Sequence, residues 1–272
     1  MNTALHHNIS RPLTIAELVQ RAPAIAATEP STTVSSRYGF ISTQNVLEAL
    51  IFNGLQPYAV QQSRSNKEHG ITYAKHLICF RAPQTDLCKV GDNFPELVIL
   101  NSHNGLSSYR IFVGVFRLIC TNGLIVSDGA GGPAENIRHT HDVIEEVIAA
   151  TGRAVQRFPS VADTITQWQG IHLTMTQQRN LALSALGLRW DVGQSPIPPE
   201  ALLVPRRYDD HGDDLWRIYN RIQENLERGG IRHSKELTTQ NIPRCNTTRR
   251  ITGVDAKVRL NTGLWQLAAS YT

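Results

Sequence analysis

The residues that could most readily ligate a metal stand together in "RHTHD", as His139, His141 and Asp142. On a β-strand, residues i and i+2 point the same way, and a His-x-His pair can close on one ion. Here the motif leads into a helical pattern, where the two rings diverge and Asp142 reads as an acid facing the helix dipole. No metal site is therefore expected, and His139, His141 and Asp142 are the residues to inspect. "NSHNG" sets His103 beside Ser102, the residue types of a hydrolase. Asn101, Ser102, Asn104 and Gly105 are turn formers, so His103 reads as an exposed bend residue rather than a base. Cys120 has no better claim as a nucleophile. "DGAGGP" is half of a dinucleotide fingerprint without its helix and reads as a loop. Neither a Gly-x-x-x-x-Gly-Lys-Ser/Thr loop nor a Gly-x-Ser-x-Gly elbow occurs, and no cofactor is expected.

The charges set into apolar runs are more informative. In "ITYAKHLICFRAP", read as one strand, Tyr73, Lys75 and Arg81 share a face by period two. In "SSYRIFVGVFRLIC", Arg110 and Arg117 fall on opposite faces unless a bulge near Gly114 shifts the register. Arginines and tyrosines on an antiparallel sheet suit phosphates and bases. Lys75, Arg81, Arg110 and Arg117 are the expected phosphate contacts, with Tyr109 or Tyr73 stacking on bases. A second basic cluster runs from Arg228 to Arg250, six basic residues against the single acid Glu236. It reads as a basic loop, with Arg249 and Arg250 as further contacts.

At 272 residues the chain can bury a sizeable core, and 41% hydrophobic with 18% charged residues is the balance of a globular protein. No uncharged apolar run approaches the roughly 18 residues of a membrane span. The first residues show no basic region leading into an apolar core, so a cytoplasmic location is expected. A net charge of +4 permits a nucleic-acid partner without requiring one. Cys79, Cys88, Cys120 and Cys245 form no Cys-x-x-Cys pair.

Several elements must position these residues. Thr14 and Glu17 form a capping box for a short helix that Pro23 ends. "TEPSTTVSSRYGF" reads as a linker. "STQNVLEALIFNGLQP" has Val46, Leu47, Leu50 and Ile51 on one helical face, stopped by Asn53-Gly54. About five strands follow between Tyr58 and Asp128, with Asn104-Gly105 and Asn122-Gly123 read as the bends between them. Helices follow from about Val143, and "DDLWRIYNRIQENLERGG" is the clearest, with Leu215, Ile218, Tyr219, Ile222 and Leu226 at helical spacing. The fold expected is α+β: an antiparallel sheet of about five strands packed by helices, then a helical C-terminal part. The domains expected are an N-terminal helix and linker at 1–36, an α+β core at 37–158, and a mainly helical region at 159–272 carrying the basic loop 228–250.

"RPLTIAEL", "RYGFISTQNVLEALIFNGLQP", "ELVILNSHNGLSSYRIFVGVFRLICTNGL", "VPRRYDD", "DLWRIYNRIQENLERGG" and "TRRITGVDAKVRLNTGLWQLA" follow one another in order. In these segments the chain resembles the YafZ/YfjQ/YubP family of prophage- and plasmid-borne proteins. The resemblance implies a role in DNA maintenance, early establishment or anti-defence, and no settled activity. Family members commonly carry Asp where Asn104 stands. The order helix, hairpin, strand and long helix is also similar to that of single-strand annealing proteins. The leading expectation is a non-enzymatic DNA-binding protein that prefers single strands and acts in plasmid or phage DNA maintenance or recombination, with homo-oligomers allowed. The alternatives are a host-protein binder acting against a defence, and a metal-dependent nuclease or hydrolase.

Overall fold

The computed structural model describes residues 6–7, 11–63, 68–83, 85–117, 122–126, 135–137, 144–235 and 244–272. They form two compact units, Met1–Asp163 and Thr164–Thr272. In the first, α1 (Ile15–Arg21) starts at the capping box expected of Thr14 and Glu17, both halves of which are made. A 3-10 turn, Pro23–Ala26, follows it. Helix α2 (Thr43–Phe52) buries Val46, Leu47 and Leu50, and its N-cap Ser42 accepts from the Asn45 amide. Gly54 then takes φ +88, a conformation that glycine adopts without strain.

The sheet is antiparallel in the order β1-β2-β3-β4-β5-β6, with β7 pairing on β5. Its strands are β1 (His6–His7), β2 (Gln56–Gln62), β3 (His76–Arg81), β4 (Asn93–Asn101), β5 (Tyr109–Arg117), β6 (Asn122–Val126) and β7 (Glu135–Ile137). The long run beginning at Ile71 is not one strand. Helix α3 (Glu68–Thr72) occupies its start, and β3 begins only at His76. Tyr73 and Lys75 therefore lie in the connection before β3 and do not share a strand face with Arg81.

Strands β4 and β5 keep an unbroken register from Asn93↔Arg117 to Leu100↔Arg110. No bulge occurs at Gly114, so Arg110 and Arg117 stay out of phase along β5. The shift lies in β2 instead, between Pro57 and Ala59. Both parities of β4 are buried, as a strand in the middle of a sheet requires. The two Asn-Gly pairs are not tight bends. Asn122 and Gly123 lie inside β6, paired with Arg117 and Phe116. Asn104 and Gly105 fall in the stretch of seven residues between Asn101 and Tyr109. Helix α4 (Ile144–Val155) packs on α2, β4, β5 and β7 and buries Val147, Ala150 and Ala154.

The chain passes into the second unit within α5 (Phe158–Gln169). Helices α6 (Met175–Leu186), α7 (Leu215–Arg228) and α8 (Val254–Ala269) pack against one another. Their common core is aromatic. Trp168 and Trp265 have ring centroids 4.3 Å apart, and Tyr219 stacks on Trp216 at 5.6 Å. Such pairs add about 0.5–1.5 kcal/mol each beyond the area they bury. Between α7 and α8, where a basic loop was expected, the backbone forms a two-stranded ribbon, β8 (Arg232–Lys235) and β9 (Arg244–Thr247).

Candidate nucleic-acid interface

Of the seven residues expected to meet nucleic acid, five lie in the first unit, and Arg249 and Arg250 lie in the second. Tyr109 is fully buried, and burial pushes its hydroxyl's pKa up. It packs in the core and is not presented for stacking. Arg81 is spent on a buried ion pair, its Nε donating to Glu96 Oε1 at 2.9 Å, with the guanidinium 4.1 Å from the Tyr58 ring centroid and 5.0 Å from that of Phe94. Glu96 is itself buried, which raises its carboxyl to about 7 against the pull of Arg81. Arg110 is half-buried and donates to Ser107 Oγ at 3.2 Å. Arg117 holds the last position of β5. Lys75 is half-buried in the connection before β3. Arg249 and Arg250 are exposed at the root of the ribbon. Cys120, His139, His141 and Asp142 lie outside the described residues. Among those described, no group of three or more His, Cys, Asp or Glu side chains could hold a metal ion.

His103 is not an exposed bend residue. It is wholly buried, and so are its neighbours Asn101 and Ser102. The reason is a polar knot drawn from distant parts of the chain. Thr43 Oγ1, at the start of α2, lies 2.9 Å from His76 Nε2, 3.2 Å from His103 Nε2 and 2.9 Å from Asn101 Nδ2. His76 Nδ1 donates to Ala74 O at 2.9 Å, so its Nε2 carries the lone pair and accepts the Thr43 proton. Thr43 then accepts from Asn101 and from His103 Nε2–H, and its hydroxyl is saturated. Burial lowers His76 to about 4, which keeps it neutral. Phe40 lies over His103 with ring centroids 4.9 Å apart, and Tyr38 Oη donates to Ser102 O at 3.0 Å. The expected linker is thus packed against the 101–103 segment. These four side chains are at most 1% exposed, which denies a substrate access to them. They hold the fold.

The ribbon is the opposite case. Its register pairs Arg232↔Thr247, His233↔Asn246, Ser234↔Cys245 and Lys235↔Arg244. Arg232, Cys245, Asn246 and Thr247 are exposed and His233 is half-buried, so exposed positions occur on both faces. Among the described residues, no carboxylate pairs with Arg232, Arg249 or Arg250. Its root is rigid. The Gly230 amide donates to Thr248 O at 2.7 Å, the Thr248 amide to Ile231 O at 2.9 Å, and the Ile251 amide to Glu227 O at 2.8 Å. Gly229 takes φ +64 and ψ −146, and a Cβ there would lie 2.5 Å from Arg249 O. Arg189 donates to Leu226 O and Arg249 O, and Arg206 to Gly229 O, which places two guanidinium groups on the C-terminal carbonyls of α7.

A family model described as "Domain of unknown function (DUF932)" matches residues 30–265 of the chain. The chain belongs to the DUF932 family. It is similar to two curated proteins of Escherichia coli (strain K12). "UPF0380 protein YfjQ" is 34% identical over 260 residues, 95% of this chain and 91% of that protein. "UPF0380 protein YafZ" is 33% identical over 260 residues with the same coverage. No solved structure matches. The DUF932 match includes the ribbon, its root, and the helix that carries both.

Periodicity revealed that helix, α7, but not that its polar face is buried as well. From Ile218 to Glu227 every residue is buried, the charged ones included. Glu224 takes both arms of Arg207 at 3.1 and 2.9 Å and Arg228 at 3.0 Å. Glu227 pairs with the buried Lys257 at 2.9 Å and accepts from Gln223 at 2.9 Å. Asn225 accepts from Arg206 at 2.6 Å and donates to Leu202 O and Val204 O. The segments "VPRRYDD", "RIQENLERGG" and "AKVRLN" thus meet in one buried network of ion pairs and hydrogen bonds, which fixes the helix from which the ribbon springs. A sequence signal existed: seven of the nine residues from Asn220 to Arg228 are polar or charged, interrupted only by Ile222 and Leu226.

Proposed function

We propose that this DUF932 protein binds DNA, and that the basic ribbon and its root, with Arg232, Arg249 and Arg250, make the contact. The observation that carries this reading is an exposed two-stranded arm, rich in cations, without described acidic partners, mounted on a rigid base. Guanidinium groups on such an arm neutralise phosphates and release their counterions. The sheet arginines add little to it, because Arg81 is occupied by Glu96 and Arg110 is half-buried. A part in DNA maintenance or recombination on plasmids and prophages follows from the sequence resemblance and belongs to the same proposal. Cytoplasmic location is likewise proposed; among the described residues no helix is long and apolar enough to cross a membrane.

The test is a gel shift with the whole protein on labelled single-stranded and duplex DNA, with and without magnesium. Binding should weaken steeply with salt, with log K falling against log[salt] at a slope of roughly −3 for three phosphate contacts. Tight capture of a host protein with no DNA affinity would instead favour an anti-defence role, and cleavage that needs magnesium would favour a nuclease.

A further inference from the structure

We infer that the arm lies in the major groove of duplex DNA, and that Asn246, across the ribbon from His233, reads an adenine there. This inference rests on the DNA-binding reading and adds the form of DNA and the residue that selects sequence.

Three observations carry it. First, the element is a two-stranded antiparallel ribbon, whose strands lie about 4.8 Å apart. With side chains added, a ribbon of this kind fits the B-form major groove, about 12 Å wide. The A-form major groove of RNA is too narrow and deep for side chains to read. Second, neither strand, RHSK in β8 and RCNT in β9, contains a large apolar residue. Arg232, His233, Cys245, Asn246 and Thr247 are its described side chains. An apolar protein partner would find little to bury against, whereas base edges and phosphates match donors and cations. Third, the alternation divides the ribbon into two faces. One carries the positions of Arg232, Ser234, Cys245 and Thr247. The other carries His233, Lys235, Arg244 and Asn246.

The second face has the composition of a base-reading surface. Asn246 is exposed there, and an asparagine amide offers the paired donor and acceptor that match N7 and N6 of adenine. His233, its cross-strand partner, supplies a ring-nitrogen group beside that amide. Residues of like parity on one strand lie about 6.8 Å apart, which equals roughly two base-pair steps. A ribbon laid along the groove therefore keeps pace with the stack of bases. Arg249 and Arg250, beyond the paired strands, are left to hold the phosphate backbone at the groove's edge.

The experiment is selection from a random-sequence duplex pool with the intact protein, followed by competition of the enriched duplex against its single strands. The duplex motif should contain an invariant A·T pair. Asn246→Ala should bind unselected duplex as before and lose about tenfold in preference for that pair. An R249A/R250A variant should weaken every sequence alike. Since Asn246, Arg249 and Arg250 are exposed, these changes leave the folded state intact, and an unchanged thermal unfolding midpoint checks this. A pool that yields no motif, or single strands that compete better than duplex, would overturn the groove-reading inference while leaving DNA binding in place. Absence of affinity for any DNA would overturn the proposed function itself.

Discussion

Two buried ionisable groups in the first unit should oppose each other in pH. His76 is lowered to about 4 by burial beneath Thr43, and Glu96 is raised to about 7 by burial beside Arg81. For His76, the unfolded chain binds the extra proton between about pH 4 and 6.5. Its contribution to stability is therefore full above pH 6.5 and is lost as the pH falls through 4. For Glu96, the folded chain binds the extra proton. Its contribution is full below pH 4.5 and is lost as the pH rises through 7. At 1.36 kcal/mol per pH unit, each amounts to about 3 kcal/mol, and the two have opposite sign. Over pH 4.5–6.5 they nearly cancel in the wild-type protein. Glu96→Gln removes the falling contribution, so stability should rise by about 3 kcal/mol from pH 4 to 6.5. His76→Gln removes the rising one, so stability should fall by about the same amount from pH 4.5 to 7. Urea midpoints measured across this range report the slopes, whatever each variant loses in absolute stability. If Glu96→Gln and wild type give parallel curves, Arg81 keeps Glu96 ionised throughout and the reasoning fails.

Replacing Gly229 by Ala drives a Cβ to 2.5 Å from Arg249 O in a backbone conformation that L-residues avoid, and should lower stability by about 2 kcal/mol or more on thermal unfolding. Gly193→Ala, at φ +74 but in open space, should lose only about 1 kcal/mol. Lys257→Met leaves Glu227 buried beside an apolar chain and should destabilise by about 3–5 kcal/mol, while adding Glu227→Gln should restore much of that in a double-mutant cycle.

Helices were legible in the sequence because their signals are local. The capping box of Thr14 and Glu17 and the spacing from Leu215 to Leu226 depend on near neighbours, and the structure has both. The α+β class and a mostly antiparallel sheet were legible for the same reason, in apolar runs of strand length. What escaped depends on partners far along the chain. "NSHNG" has turn composition, yet Thr43, 60 positions from His103, turns it into a buried knot. Asn122-Gly123 has the chemistry of a bend, yet the pairing of β5 extends to Arg117 and takes both residues into β6. The strand expected from Ile71 begins with a helical turn instead. Strands β8 and β9 are four residues each and polar, with no alternation to announce them. Arg81 looked available because Glu96, 15 positions away, is its neighbour only across β3 and β4.

The most direct test of the arm as the DNA contact is the salt dependence of DNA binding by the wild-type protein and by the R232A/R249A/R250A variant. The wild-type slope should be steep and should fall by roughly 3 in the variant, with unchanged thermal stability. An unchanged slope in a folded variant, or an affinity indifferent to salt in both, would contradict it.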